Sequence, residues 1–344
     1  MRAGCPRKRG LPVAAAAERI AAALSRTPEI MVRTWLVTGG CGFIGSHLVD
    51  LLLARGDAVR VLDDLSTGRR ANLDPRAELI VGDVADPDLV GRAAAGVDGI
   101  FHLAAVASVQ RGNEDWLGTH RTNLTGTVAV LDAARPRDGR PALPVVYASS
   151  AAVLGDNPDV PLSETSETRP LSAYGADKLG CEQHARVGWT VHGVPSVGFR
   201  FFNVYGPRQD PKSPYSGVIA IFADRAAAGL PLRIDGDGGQ TRDFVYVGDV
   251  VRHLAAGMDG CREGAAVYNV CTGRPTTVLD LARLVRGIAG SASPMVHAAA
   301  RAGDIRVSLG DPARAAAAFG FRAETRIEDG LRLTLGGPVE PAGA

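Results

Sequence analysis

The sequence predicts an α/β protein: a doubly wound parallel sheet followed by a smaller C-terminal α/β lobe. Three observations lead there. Strand-like and helix-like stretches alternate from Thr34 to about Arg200. A glycine-rich loop, Thr38-Gly39-Gly40-Cys41-Gly42-Phe43-Ile44-Gly45, stands between the first strand and the first helix. An acidic residue, Asp63, closes the next strand about 20 residues on. Alternation of this kind places strands side by side in parallel with helices on both faces.

The elements follow in order. Residues 1–30 carry Arg2, Arg7, Lys8 and Arg9 and then an alanine-rich stretch. They are expected to be a disordered extension, because Glu18 and Arg19 interrupt the apolar run that a signal peptide requires. The folded protein is expected to begin near Met31. Apolar strand-like runs occupy 34–38, 58–63, 77–81, 98–104, 144–148 and 195–200. Helical stretches occupy 43–55, 113–135 and 172–192. Residues 31–202 thus read as one nucleotide-binding domain. Near residue 203 the texture changes, with Pro207, Pro211 and Pro214 in one loop and Gly236, Gly238 and Gly239 in another. Residues 203–335 are expected to form mainly the second lobe, with segments near 240–275 returning to the sheet. Residues 336–344, rich in Pro, Gly and Ala, are expected to be a disordered tail.

Composition narrows the class. The 344 residues carry a net charge of +1, which gives no electrostatic case for nucleic acid or an anionic membrane. No apolar run reaches the ~20 residues of a membrane helix. Five cysteines form no CxxC pair, and seven histidines include no HExxH. The expectation is reduced thiols, a cytoplasmic location and no metal site.

The loop at 38–45 satisfies two glycine spacings at once: Gly40, Gly42, Gly45 and Gly39, Gly42, Gly45. A tight strand-to-helix turn needs glycine backbone freedom, and side chains there block a pyrophosphate. The helix from Phe43 then aims free N–H groups at phosphate. Asp63 is placed to accept hydrogen bonds from ribose hydroxyls, and its charge repels a 2′-phosphate. The reading is a Rossmann domain that binds NAD rather than NADP.

A second constellation carries chemistry. The strand ending Tyr147-Ala148-Ser149-Ser150 delivers hydroxyls to the carboxyl edge of the sheet, where such folds bind ligands. Tyr174 and Lys178 stand four apart and share a helix face. Lysine occurs only at 8, 178 and 212, so its use here is selective. A phenol is a weak base at neutral pH, and a neighbouring ammonium with a positive nicotinamide ring favours its phenolate. Tyr174 is therefore the candidate base, Lys178 its partner and a holder of the cofactor ribose. Ser150 is the candidate donor to the same substrate oxygen.

In combination, TGGCGFIGSHL, VLDDLSTG, GDVAD, FHLAA, TNLTGT, YASSAAVLG, SAYGADK, RFFNVYGPRQDP, GDGGQTRDFVYVGDV and YNVCTG resemble the extended short-chain dehydrogenase/reductase family. Within it, residues 32–335 are most similar to the nucleotide-sugar 4-epimerases of the UDP-glucose and UDP-N-acetylglucosamine type. The resemblance implies that Gly39, Gly42, Phe43, Ile44, Gly45, Asp63, Asp64, Asp83, Val84, Leu103, Ala104, Ala105, Asn123, Tyr174 and Lys178 line the NAD site. It implies that Asn203, Arg242 and Arg301 hold the diphosphate of a UDP-sugar. It further implies that NAD stays bound through each turnover and that the protein is a homodimer joined by a four-helix bundle.

The family spans 4-epimerases, 4,6-dehydratases and decarboxylases. Its dehydratases carry an Asp-Glu pair after the active-site hydroxyl residue. Here Ala151 and Ala152 follow Ser150 and transfer no proton, which favours epimerisation. Leu154 departs from the tyrosine usual in the family. Ser308 matches a family position that limits room beside the sugar, and its small size fits N-acetylhexosamines as well. The alternatives are a nucleotide-sugar dehydratase, another NAD-dependent oxidoreductase of the family, or a silent dinucleotide-binding protein.

Overall fold

The computed structural model describes residues 32–211, 217–301 and 303–336. The expectations for residues 1–30 and for the tail beyond Gly336 lie outside them. The chain runs β1 (Thr34–Thr38), α1 (Phe43–Ala54), β2 (Ala58–Asp63), β3 (Glu78–Val81), α2 (Pro87–Ala93) and β4 (Gly99–His102). It continues through α3 (Val109–Glu114), α4 (Trp116–His120), a π-helical turn (Arg121–Thr125), α5 (Gly126–Ala133), β5 (Val145–Ser150), α6 (Ala173–His192) and β6 (Ser196–Phe201). The remainder is β7 (Asn203–Tyr205), α7 (Val218–Ala227), β8 (Leu232–Asp235), β9 (Thr241–Tyr246), α8 (Val247–Gly260) and β10 (Ala265–Val270). Then come β11 (Pro275–Thr277), α9 (Val278–Ile288), β12 (Met295–Ala298), β13 (Val307–Ser308), α10 (Ala313–Phe319) and α11 (Ile327–Leu335).

Seven parallel strands form the main sheet in the order β10-β6-β5-β4-β1-β2-β3. Both faces are covered, which explains the uninterrupted apolar strands of the sequence. In β1, Trp35 and Val37 join one core with Leu48, Leu52, Phe101, Leu254 and Met258. Leu36, between them, joins the opposite core with Leu62, Ile100, Val130, Tyr147 and Cys181. The strand order reverses between β1 and β4, where Thr38 and His102 are register partners. That switch point opens a crevice at the carboxyl edge.

Caps fix where the flanking helices begin. The Ser172 side chain accepts from Gly175 N and starts α6, which Gly193 ends at φ 68°. Asp86 caps α2 ahead of Pro87. A third core, built on Ile219, Phe222, Leu232, Ile234, Leu281, Val285 and Leu331, belongs to the second lobe.

Two expectations are corrected. The single helix expected over 113–135 is broken: Asp115 leaves helical conformation (φ −133°, ψ 75°) and caps α4 through Gly118 N. Of the segments near 240–275, only Ala265–Val270 joins the main sheet. Thr241–Tyr246 is instead the centre of a second sheet, paired with β11, β13 and β7.

Candidate active site

The glycine loop is a cradle that side chains would fill. Gly39 sits at φ +72°, and a Cβ there would lie 2.7 Å from Ala104 N. A Cβ on Gly40 would lie 2.7 Å from the Val61 methyls. One on Gly45 would collide with Gly39 O. The first turn of α1 has neither a capping side chain nor an acidic residue. Its leading N–H groups and the bare loop therefore suit a pyrophosphate. Phe43 and Ile44 occupy that same turn.

Asp63, 7% exposed, ends β2 beside this cradle. Its Oδ2 accepts from Cys41 N and its Oδ1 from Leu65 N, both at 2.9 Å. Burial pushes its carboxyl above the usual carboxylate range. Asp64 Oδ1 accepts from Ser66 N and Ser66 Oγ. Asp83 pairs with Arg121 at 2.9 Å, and Val84 packs where Gly126 leaves room for it.

Under the crevice runs a chain of hydrogen bonds that sequence reading missed. Thr38 Oγ1 accepts from Leu103 N and Ala104 N at 3.2 Å each. It contacts His102 Nδ1 at 2.8 Å, and His102 Nε2 contacts Thr127 Oγ1 at 3.0 Å. Thr127 Oγ1 donates to Asn123 O at 2.6 Å. Burial, with the Lys178 charge nearby, holds His102 down to about 3. The Asn123 side chain is fully buried and both its ends meet Val106: Oδ1 accepts from Val106 N, and Nδ2 donates to Val106 O. Asn123 thus pins the segment that carries Leu103, Ala104 and Ala105. Thr38 opens the TGGCG motif, which was the available signal for this chain.

The structure brings Ser150, Tyr174 and Lys178 to one edge. A Cβ on Gly175 would lie 2.7 Å from Ala152 O, so the start of α6 is pressed against the 3₁₀ turn Ala151–Val153 that follows Ser150. Ser150 Oγ accepts from Ala152 N at 3.1 Å, which leaves its proton to donate. Lys178 is 2% exposed, and its Nζ donates to Ala148 O at 2.8 Å. That ammonium lies 5.9 Å from the Tyr174 ring centroid. The neighbouring hydroxyl has a structural task instead. Ser149 Oγ donates to Glu182, which pairs with buried Arg200 at 2.8 Å.

In the second lobe, Arg242 on β9 and Ser308 on β13 are register partners. The Arg242 guanidinium is paired with Asp304 and donates to Thr241 O. Burial lowers its proton affinity, and Asp304 works against that shift. Arg301 pairs with Asp235 at 3.2 Å, with its side chain 76% exposed. Asn203 is exposed at the start of β7. Asp243, fully buried next to Arg242, organises this lobe. Its oxygens accept from Thr272 N, Thr272 Oγ1 and Gly273 N, each at 2.8 Å. Asp243 and Asp304 escaped sequence reading, because acidic residues in loops and strands carry no spacing signal.

Among the described residues, no group of three or more His, Cys, Asp or Glu side chains is placed to hold a metal ion. The profile of the NAD dependent epimerase/dehydratase family matches residues 35–271. The UDP-glucose 4-epimerase of Mycolicibacterium smegmatis is 38% identical over 308 residues, 87% of this chain and 96% of that protein. The crystal structure of UDP-glucose 4-epimerase with UDP-glucose from Thermotoga maritima superposes with a TM-score of 0.83 at 36% identity, covering 88% of this chain and 97% of that one. A dTDP-glucose 4,6-dehydratase from Streptomyces venezuelae, solved with NAD bound, gives a TM-score of 0.80 at 33% identity, over 88% and 95% of the two chains.

Proposed function

The chain belongs to the NAD dependent epimerase/dehydratase family, and from that premise we propose that it is a nucleotide-sugar 4-epimerase. Its substrates are UDP-glucose and UDP-galactose, and Ser308 gives room for the N-acetylhexosamine pair. The observation that carries this reading is the turn after Ser150. A dehydratase needs an acid and a base there to remove water, and the methyl groups of Ala151 and Ala152 supply neither. Epimerisation needs only oxidation at C4, rotation of the keto sugar and reduction from the other face.

NAD, held by the glycine cradle and Asp63, supplies the group that takes a hydride from C4 and returns it. Tyr174 accepts the proton of the C4 hydroxyl and later gives it back. The buried Lys178 stands beside that ring, with its Nζ 5.9 Å from the ring centroid. Ser150 donates to the same sugar oxygen. Arg242 and Arg301, with Asn203, take the diphosphate, whose oxygens displace Asp304 and Asp235 from the two guanidinium groups. The enzyme works as a homodimer. Exposed Trp116, Leu117, Val128, Val187 and Val191 on α4, α5 and α6 support an association through these helices. The four described cysteines are free and buried, which suits a cytoplasmic location.

The test is incubation with UDP-, dTDP- and GDP-sugars, with products read by NMR. Interconversion of C4 epimers is expected. A 4-keto-6-deoxy product assigns a dehydratase, and net NADH assigns a dehydrogenase. Rejection of every acetylated sugar removes the role given to Ser308. Tyr174→Phe is expected to lower turnover by about 10²–10⁴-fold while the protein keeps its NAD. Unchanged turnover overturns the mechanism.

A further inference from the structure

The loop after β7 is fastened to the cofactor domain at three places. Arg208 Nη2 donates to Asp50 Oδ2 on α1 at 2.5 Å. His47 Nε2, also on α1, donates to Pro207 O at 3.0 Å. Arg69 Nη2 pairs with Asp210 Oδ2 at 2.6 Å. Arg208 accepts a φ of +66°, the left-handed region that side chains other than glycine rarely adopt. Such a conformation persists only where its surroundings impose it.

Two of these partners, Arg69 and His47, belong to segments that lie on the glycine cradle. Arg69 N and Asn72 Nδ2 both donate to Cys41 O, at 3.0 and 3.1 Å. A Cβ on Gly68 would lie 2.7 Å from Asp63 Oδ1 and 3.0 Å from Cys41 Cβ. His47 packs edge-on against Phe43 in the first turn of α1, with ring centroids 6.0 Å apart. The order is therefore cradle, then residues 68–72, then residues 207–210. The outermost layer comes from the second lobe.

We propose that residues 207–210 are a retention strap for NAD, clasped by Arg208–Asp50 and Arg69–Asp210. The inference rests on the NAD assignment above. The side chains of both pairs are between 32% and 60% exposed. Each therefore contributes little to folding and is sensitive to salt. Their use is kinetic: the strap must lift before the layer over Cys41 and Asp63 can open.

The test follows release of NAD from purified holoenzyme, trapped as NADH by excess alcohol dehydrogenase and ethanol. Raising salt from about 0.01 to about 0.1 M shortens the screening length from about 30 to about 10 Å and is expected to speed release from the unaltered protein. Arg69→Gln and Asp50→Asn are each expected to speed release at low salt by about two- to fivefold and to weaken its salt dependence. The exchanged pair Arg69→Asp with Asp210→Arg is expected to restore slow release. A protein that holds NAD but releases it at one rate in all of these forms overturns the strap and leaves the cofactor assignment standing. A protein that does not hold NAD overturns both.

Discussion

Thr38 Oγ1 receives two backbone N–H groups, so its single proton has only His102 Nδ1 to meet. That choice sets the rest. His102 is neutral with its proton on Nε2, Thr127 receives it, and Thr127 spends its own proton on Asn123 O. Protonating His102 would put two donors face to face. Its folded pKa of about 3 lies below the ordinary histidine value of 6.5. The unfolded chain therefore takes up a proton that the folded chain refuses, and stability falls as pH drops from about 6.5 towards 3. His47 and His253 are shifted in the same direction, so the informative quantity is a difference. His102→Gln is expected to flatten the pH dependence of unfolding free energy below pH 6 by about 1.4 kcal/mol per pH unit. Denaturant titrations across that range measure it. An unchanged slope removes His102 from the account.

At the scale of elements, α6 is the beam on which the site is hung, and one buried ion pair fixes it to β6. Arg200 and Glu182 are 4% and 8% exposed. Breaking such a pair strands a charge away from water, at a cost of about 3–5 kcal/mol. Arg200→Met is expected to lose about that much in thermal or denaturant unfolding. Adding Glu182→Met is expected to recover most of it. Failure of the second change to rescue the first would place the cost in packing. This pair also shows what sequence carries and what it withholds. The strands of the main sheet were legible because burial on both faces leaves continuous apolar runs. Tyr174 and Lys178 were legible because helix geometry fixes their spacing. Glu182 and Arg200 stand 18 apart on different elements, and nothing local couples them. The break at Asp115 was hidden for a related reason. Apolar spacing continues across it, and a side chain capping Gly118 N decides against helix there.

At the scale of the whole molecule, exposed apolar side chains gather on α4, α5 and α6. Trp116 and Leu117 are 70% and 79% exposed, and Val191 is 65% exposed. Val187 and Val191 are one helical turn apart on α6. If two copies meet on these helices, Val187→Asp with Val191→Asp is expected to convert dimer to monomer. Light scattering coupled to size-exclusion chromatography reads the mass directly. A mass independent of these changes, whether one copy or two, sets the helices aside as the interface.

The placing of Lys178 has an outcome of another kind. The chain has three lysines, and this one is 2% exposed with its nitrogen bound to Ala148 O. Acylating and alkylating reagents act on free, solvated amines. The amine proposed to act beside Tyr174 is therefore shielded by packing. Apart from Lys8 and Lys212, the other Lys and Arg positions of the chain are arginines, whose permanently protonated guanidinium groups are poor nucleophiles towards acylating reagents. Acylating reagents therefore meet few lysine amines in this chain, and the one on α6 is packed away from them.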